Sequence, residues 1–123
     1  MKIALAQINP TVGDLSGNRR LAQEAAERAA SAGADVVVLP ELTLTGYPPM
    51  DLLERDRFVD DQLSELDELA KTSRQIAIVV GAVMRADAAR PKAIENAAVV
   101  LAEGRRLAYR SKTLLPTYDV FDE

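Results

Sequence analysis

Three places in the sequence hold groups whose type and position could do chemistry. Glu41 directly follows the apolar run Val36-Val37-Val38-Leu39-Pro40, so its carboxylate stands at the carboxyl end of an expected central strand. Ligands gather at that end of open α/β sheets, and a carboxylate there can serve as a general base. The competing reading is a turn cap or a partner for a surface lysine. Lys112 follows RRLAYRS and precedes a Leu-Leu-Pro stop; its amine could steady a developing oxyanion or simply face solvent. Pro116 to Glu123 (PTYDVFDE) sets Tyr118, Phe121 and three carboxylates within eight residues. Such a segment could wall a small polar ligand, or its aromatics could anchor a loop on the core.

Composition limits the chemistry further. The 123 residues include no cysteine and no histidine. A disulfide framework, a thiolate metal cluster, an imidazole base and an ordinary zinc site are therefore excluded within these residues. Catalytic groups must be carboxylates, amines, hydroxyls or backbone. A net charge of −4, from 15 Lys plus Arg against 19 Asp plus Glu, offers no basic stripe for phosphates. Three Tyr and two Phe are few for stacking on bases, so the composition argues against nucleic acid as a partner. No apolar run approaches the ~20 residues that span a bilayer, and the start carries no signal-type pattern. Neither a membrane association nor export is expected, which leaves the cytoplasm as the default location. At 48% hydrophobic and 28% charged, the composition is that of a compact water-soluble domain, which at this length buries roughly two-thirds of its unfolded surface.

These groups need a scaffold, and the hydrophobic pattern outlines one. Lys2 to Ile8 reads as a short buried strand ended by Asn9-Pro10. From Ser16 to Ala32 the period is helical, with Leu21, Ala22, Ala25, Ala29 and Ala32 on one side and Gly33 as the stop. Asp35 to Leu39 is apolar and β-branched, the mark of a strand covered on both faces. Thr43 to Asp51 is a loop, since Gly46 and Pro48-Pro49 break helix and ladder alike. A second helix is expected over Arg57 to Ser73, with Leu63, Leu66, Leu69 and Ala70 inward and a solvated carboxylate face. Ile76 to Val83 reads as a buried strand and Ala86 to Ala93 as a surface loop. Ala97 to Ala102 and Arg106 to Arg110 form a hairpin around Glu103-Gly104. Alternating strands and helices followed by a hairpin predict an α/β layered fold whose first part is parallel.

Nucleotide-binding loops are absent: there is no GxGxxG after a strand, and Ser111-Lys112-Thr113 lacks the glycines of a P-loop.

The stretches LPELTLTGYPPMDLL (residues 39–53) and KTLLPTYDVFDE (residues 112–123) resemble a glutaminase domain of the nitrilase, or carbon-nitrogen hydrolase, superfamily. The branch is the amino-terminal domain of glutamine-dependent NAD synthetases. The opening KIALAQINPTVGDLSGN and the segment ENAAVVLAEGR fit the same family, so the resemblance spans nearly all of residues 1–123. It implies part of an α-β-β-α sandwich and a Glu-Lys-Cys triad. Glu41 matches the general base and Lys112 the lysine that stabilises the tetrahedral intermediate. Tyr47, Tyr118, Phe121 and Glu123 match residues lining the glutamine pocket, Glu123 being also the supporting second glutamate. The cysteine nucleophile of the family lies beyond the lysine motif, so the resemblance implies a glutaminase domain cut before it and inactive alone.

A synthetase domain of the same polypeptide, using ATP and Mg to amidate deamido-NAD with the ammonia released from glutamine, is likewise implied. So is homo-oligomerisation. No cofactor is expected within residues 1–123 themselves. Two alternatives remain at this stage. One is a stand-alone amidase of the superfamily acting on ω-amides or carbamoyl compounds; the other is a non-catalytic half-domain that works only with a complementary fragment. Relatives commonly carry an aromatic before Asn96 where this chain has Glu95.

Overall fold

Three parallel strands joined by two helices, then an antiparallel extension, make up the computed structural model, which describes residues 1–87 and 90–111. Strand β1 (Ile3–Leu5) leads into helix α1 (Leu15–Ser31) and strand β2 (Val36–Val38). A 3-10 turn (Met50–Glu54), helix α2 (Asp56–Ala70) and a second 3-10 turn (Lys71–Arg74) precede strands β3 (Ala77–Asp87), β4 (Arg90–Ala102) and β5 (Arg105–Ser111). The strands lie in sequence order in one sheet, parallel from β1 to β3 and antiparallel from β3 to β5.

Local chemistry explains the boundaries. Asp14 caps α1 by accepting from the Gly17 N–H at 3.1 Å. The Lys2 ammonium donates to the Ala32 carbonyl at 2.6 Å at the other end, where helix carbonyls lack partners. Glu103 (φ 57) and Gly104 (φ 83) form the two-residue turn between β4 and β5, the conformation that follows the twist of a hairpin.

Both helices pack on one face of the sheet. Ala22, Ala25, Ala26 and Ala29 of α1 and Leu66, Leu69 and Ala70 of α2 meet Val37, Ile78, Val80, Val99 and Leu101 in the main core. Alanines along α1 let the helix sit close to the strands. Leu21, expected inward, is exposed, because the buried stripe runs through Asn18, Ala22, Ala25, Ala26 and Ala29 instead. Ala32 is likewise exposed. A smaller cluster of Leu42, Leu53, Val59 and Val83 binds the segment after β2 to α2 and β3.

Three further expectations change. Of residues 86–93, expected as a surface loop, the described ones are strand: β3 runs to Asp87 and β4 begins at Arg90. Pairing with the preceding strand overrides the polar, proline-containing pattern there, and β5 flanks β4 only from Ala97 onward, so proline meets a strand with one neighbour. Helix α2 ends at Ala70, with the 3-10 turn completing the expected span. On β2, only Val37 is fully buried; Val36 and Val38 are half-buried. They belong to the face opposite the helices, which also carries Ile3 and Leu5, exposed at 56% and 78%. The described residues thus form one helix layer and one sheet layer.

The carboxylates of α2 are not merely solvated. Glu65 pairs with Arg19 of α1 at 2.9 Å, Asp60 with Arg85 of β3 at 2.6 Å, and Asp67 with Arg106 of β5 at 2.8 Å. Pairs this accessible contribute about 0–1 kcal/mol each, so they register the helix more than they stabilise it. Among the described residues, no helix is long and apolar enough to cross a membrane.

Candidate active site around Glu41

The chain keeps following β3 after β2 ends. Leu39 donates to the Val79 carbonyl at 2.8 Å, Gly81 donates to the Pro40 carbonyl at 3.3 Å, and Thr43 donates to the Gly81 carbonyl at 3.0 Å. Between the last two bonds the backbone crosses directly over Gly81, where a Cβ would fall 2.7 Å from the Cα of Glu41. Only glycine permits that approach.

Immediately after Glu41 the backbone turns sharply. Leu42 takes φ 48, a left-handed conformation that costs a residue with a side chain roughly 1–2 kcal/mol. Its side chain is fully buried in the smaller core cluster, which offsets that cost. The turn closes with Thr43 Oγ1 donating to the Pro40 carbonyl at 2.5 Å and Gly46 N–H donating to the Leu42 carbonyl at 2.9 Å. Residues 42–46 are buried, whereas Glu41 is exposed.

Asn18 of α1 secures the far side of the turn. It is 1% exposed and donates to the carbonyls of Thr11 and Leu44 while accepting from the Thr11 N–H, all at 2.8 Å. Gly13 adds a bond to the Thr45 carbonyl at 2.9 Å. Gln62 of α2 braces β3 from beneath: its amide exchanges bonds of 2.7 and 3.0 Å with the N–H and C=O of Val83, which lies beyond the end of β2. A glutamine side chain thus replaces the missing strand neighbour.

Glu41 faces a cleft of about 400 Å3 at the carboxyl end of β2, on the sheet face that the helices leave open. Val38, Pro40, Gly81, Ala98, Arg110 and Ser111 line it together with Asn96. Asn96 is 5% exposed and donates its amide Nδ2–H to Glu41 Oε1 at 2.6 Å. At 2.6 Å this is a short contact for an amide donor on a carboxylate oxygen. The carboxylate is therefore positioned by a tight turn below and an amide beside it, in a recess large enough for a small substrate.

Of the other expected site residues, Tyr47 is 63% exposed and is not among the described residues lining this cleft. Lys112, Tyr118, Phe121 and Glu123 lie outside the described residues. Asn96 and Gly81 were not legible as site residues. A glycine inside the apolar run IAIVVGAV does signal a close backbone approach, whereas nothing around Asn96 in the sequence points to Glu41, 55 residues away.

The sequence profile of the family described as carbon-nitrogen hydrolase matches residues 2–122. The chain belongs to the carbon-nitrogen hydrolase family. As a member of that family it is similar to a glutamine-dependent NAD(+) synthetase from Synechocystis sp., with 46% identity over 98% of this chain and 22% of the relative. A second such synthetase, from Thermotoga maritima, is 39% identical over 100% of this chain and 21% of its own length. The 123 residues therefore span about a fifth of the length of these relatives.

Among solved structures, a glutamine-dependent NAD(+) synthetase from Cytophaga hutchinsonii superposes with a TM-score of 0.83 at 26% identity, covering 93% of this chain and 19% of that one. An amidase from Nesterenkonia sp. gives 0.80 at 29% identity, over 98% and 45%. The α/β sheet with helices on one face is thus part of the nitrilase-type fold of this carbon-nitrogen hydrolase.

Proposed function

We propose that residues 1–123 are the amino-terminal portion of a glutaminase domain in a glutamine-dependent NAD synthetase. The domain hydrolyses the side-chain amide of glutamine and hands ammonia to a synthetase domain of the same polypeptide. That domain amidates deamido-NAD at the expense of ATP bound with Mg. The observation that carries the reading is Glu41 itself: a carboxylate over Gly81, hydrogen-bonded by Asn96, in a cleft at the end of a central strand. The names of the synthetase relatives, matched over essentially the whole chain, support the choice of glutamine.

In this reading Glu41 takes the proton of a cysteine thiol supplied from elsewhere in the full-length protein. The thiolate attacks the amide carbon, and Lys112 neutralises the oxyanion. Ammonia leaves with the proton held by Glu41, a glutamyl thioester remains, and Glu41 then deprotonates the water that releases glutamate. Tyr118, Phe121 and Glu123 contribute to the glutamine pocket, and Tyr47, exposed outside the described cleft, joins them only at its rim. The protein acts in the cytoplasm as a homo-oligomer, without nucleic acid or membrane as a partner. Residues 1–123 contain no cysteine, so they do not hydrolyse glutamine by themselves.

The test is Glu41→Gln in the full-length protein. Glutamine-driven NAD synthesis is lost, and synthesis from added ammonia persists. Equal loss of both would refute the assigned role. The likeness to the Nesterenkonia amidase, of which this chain covers 45%, favours a second reading, a stand-alone amidase. Turnover of simple aliphatic amides without any synthetase activity would decide for it.

A further inference from the structure

We propose that Asn96 is a positioning residue for Glu41: its amide holds the carboxylate by one oxygen, oriented to accept the proton of the nucleophile. The inference rests on the general-base role proposed for Glu41.

Asn96 sits on β4 opposite Val83, and so shares the open face of the sheet with Gly81. Glu41 comes from the segment after β2, one strand further along the sheet. The Nδ2–Oε1 bond of 2.6 Å therefore bridges β3 from above. An amide NH2 donates at every pH and cannot exchange the proton that a base must carry. Donation to a carboxylate favours its charged form. An asparagine, 5% exposed and anchored on a paired strand, thus supplies a fixed donor with no acid-base chemistry of its own. Lysine in its place would add a charge, and aspartate would compete for the proton.

Among the described residues lining the cleft, Arg110 of β5 is the one other charged group. It is left unaltered by a change at position 96, so the effect of that change can be read at Glu41.

The experiment uses the full-length protein with Asn96→Leu and Asn96→Asp, near-isosteric replacements that remove the donor or put a second carboxylate in its place. Glutamine hydrolysis is followed across pH, with ammonia-driven synthesis measured in parallel as the report on folding. For Asn96→Leu, kcat near neutral pH falls about tenfold to a hundredfold with KM little changed, as expected for a group that orients a catalytic base. The acid limb of the kcat/KM profile moves to higher pH, because the carboxylate has lost its donor. For Asn96→Asp the limb moves in the same direction and further, through repulsion of like charges.

An acid limb unmoved in both variants overturns the proposal, as does a uniform loss at all pH values in a variant that still uses ammonia. If Glu41→Gln retains glutamine hydrolysis, the base assignment fails instead, and the two failures are distinguishable.

Discussion

Gly81 lies directly beneath Glu41: a Cβ on the glycine would come within 2.7 Å of the Glu41 Cα and 2.8 Å of its carbonyl carbon. The central strand and the candidate base are thus in backbone contact, and the position of the carboxylate is tied to a residue with no functional group.

Gly81→Ala pushes the Glu41–Leu42 segment off β3. Overpacking of this kind costs about 1–3 kcal/mol, read as a lowered denaturant midpoint. Displacing the base by about 1 Å costs on the order of a hundredfold in glutamine turnover. Full activity in a folded Gly81→Ala protein would show that the crossing of the two segments does not matter.

Gln62→Leu removes the two bonds to Val83 while keeping side-chain volume. It leaves one buried N–H and one buried C=O without their partner, for a loss of about 2–4 kcal/mol in unfolding free energy. A change below half a kcal/mol would mean that β3 finds another partner at Val83.

Asn18→Ala frees the carbonyls of Thr11 and Leu44 and the N–H of Thr11 together. Stability falls by about 2–3 kcal/mol, and amide hydrogen exchange speeds up at Thr11 and Gly13 ahead of the strands. Uniform exchange across the domain would contradict a local anchoring role.

Lys71, at 2.9 Å, holds the Glu68 carboxyl below its ordinary range, first by a hydrogen bond and second by its charge. A lowered folded-state value stabilises the fold at pH values above the ordinary glutamate range, and the contribution is lost as pH falls through the lowered value. Lys71→Ala returns the Glu68 titration, followed by NMR, to the ordinary range. High salt weakens the shift in the parent, because the pair is on the surface. A Glu68 midpoint that stays low in Lys71→Ala would assign the shift to another group.

Much of the scaffold was legible because it rests on local pattern. Alanines at helical spacing mark α1, the β-branched run marks β2, and Glu103-Gly104 marks the turn between β4 and β5; each needs only near neighbours to be recognised. Glu41 was legible for the same reason, standing next to an apolar strand. The strand character of residues 86–87 and 90–93 was not legible because their pairing comes from the neighbouring strand rather than from their own residues. Gln62 looked like one more polar residue on a helix, and its meaning depends on β2 being shorter than β3.

By itself, the sequence determined the alternation of strands and helices, the family, the carboxylate at the strand end and the exclusion of thiol and imidazole chemistry within residues 1–123. Those properties reside in residue types and short spacings. Tertiary structure alone decided that Gly81 passes under Glu41 and that Asn96 reaches it from β4. Contacts between residues 40 and 55 positions apart depend on how the strands line up, and no local spacing records that register.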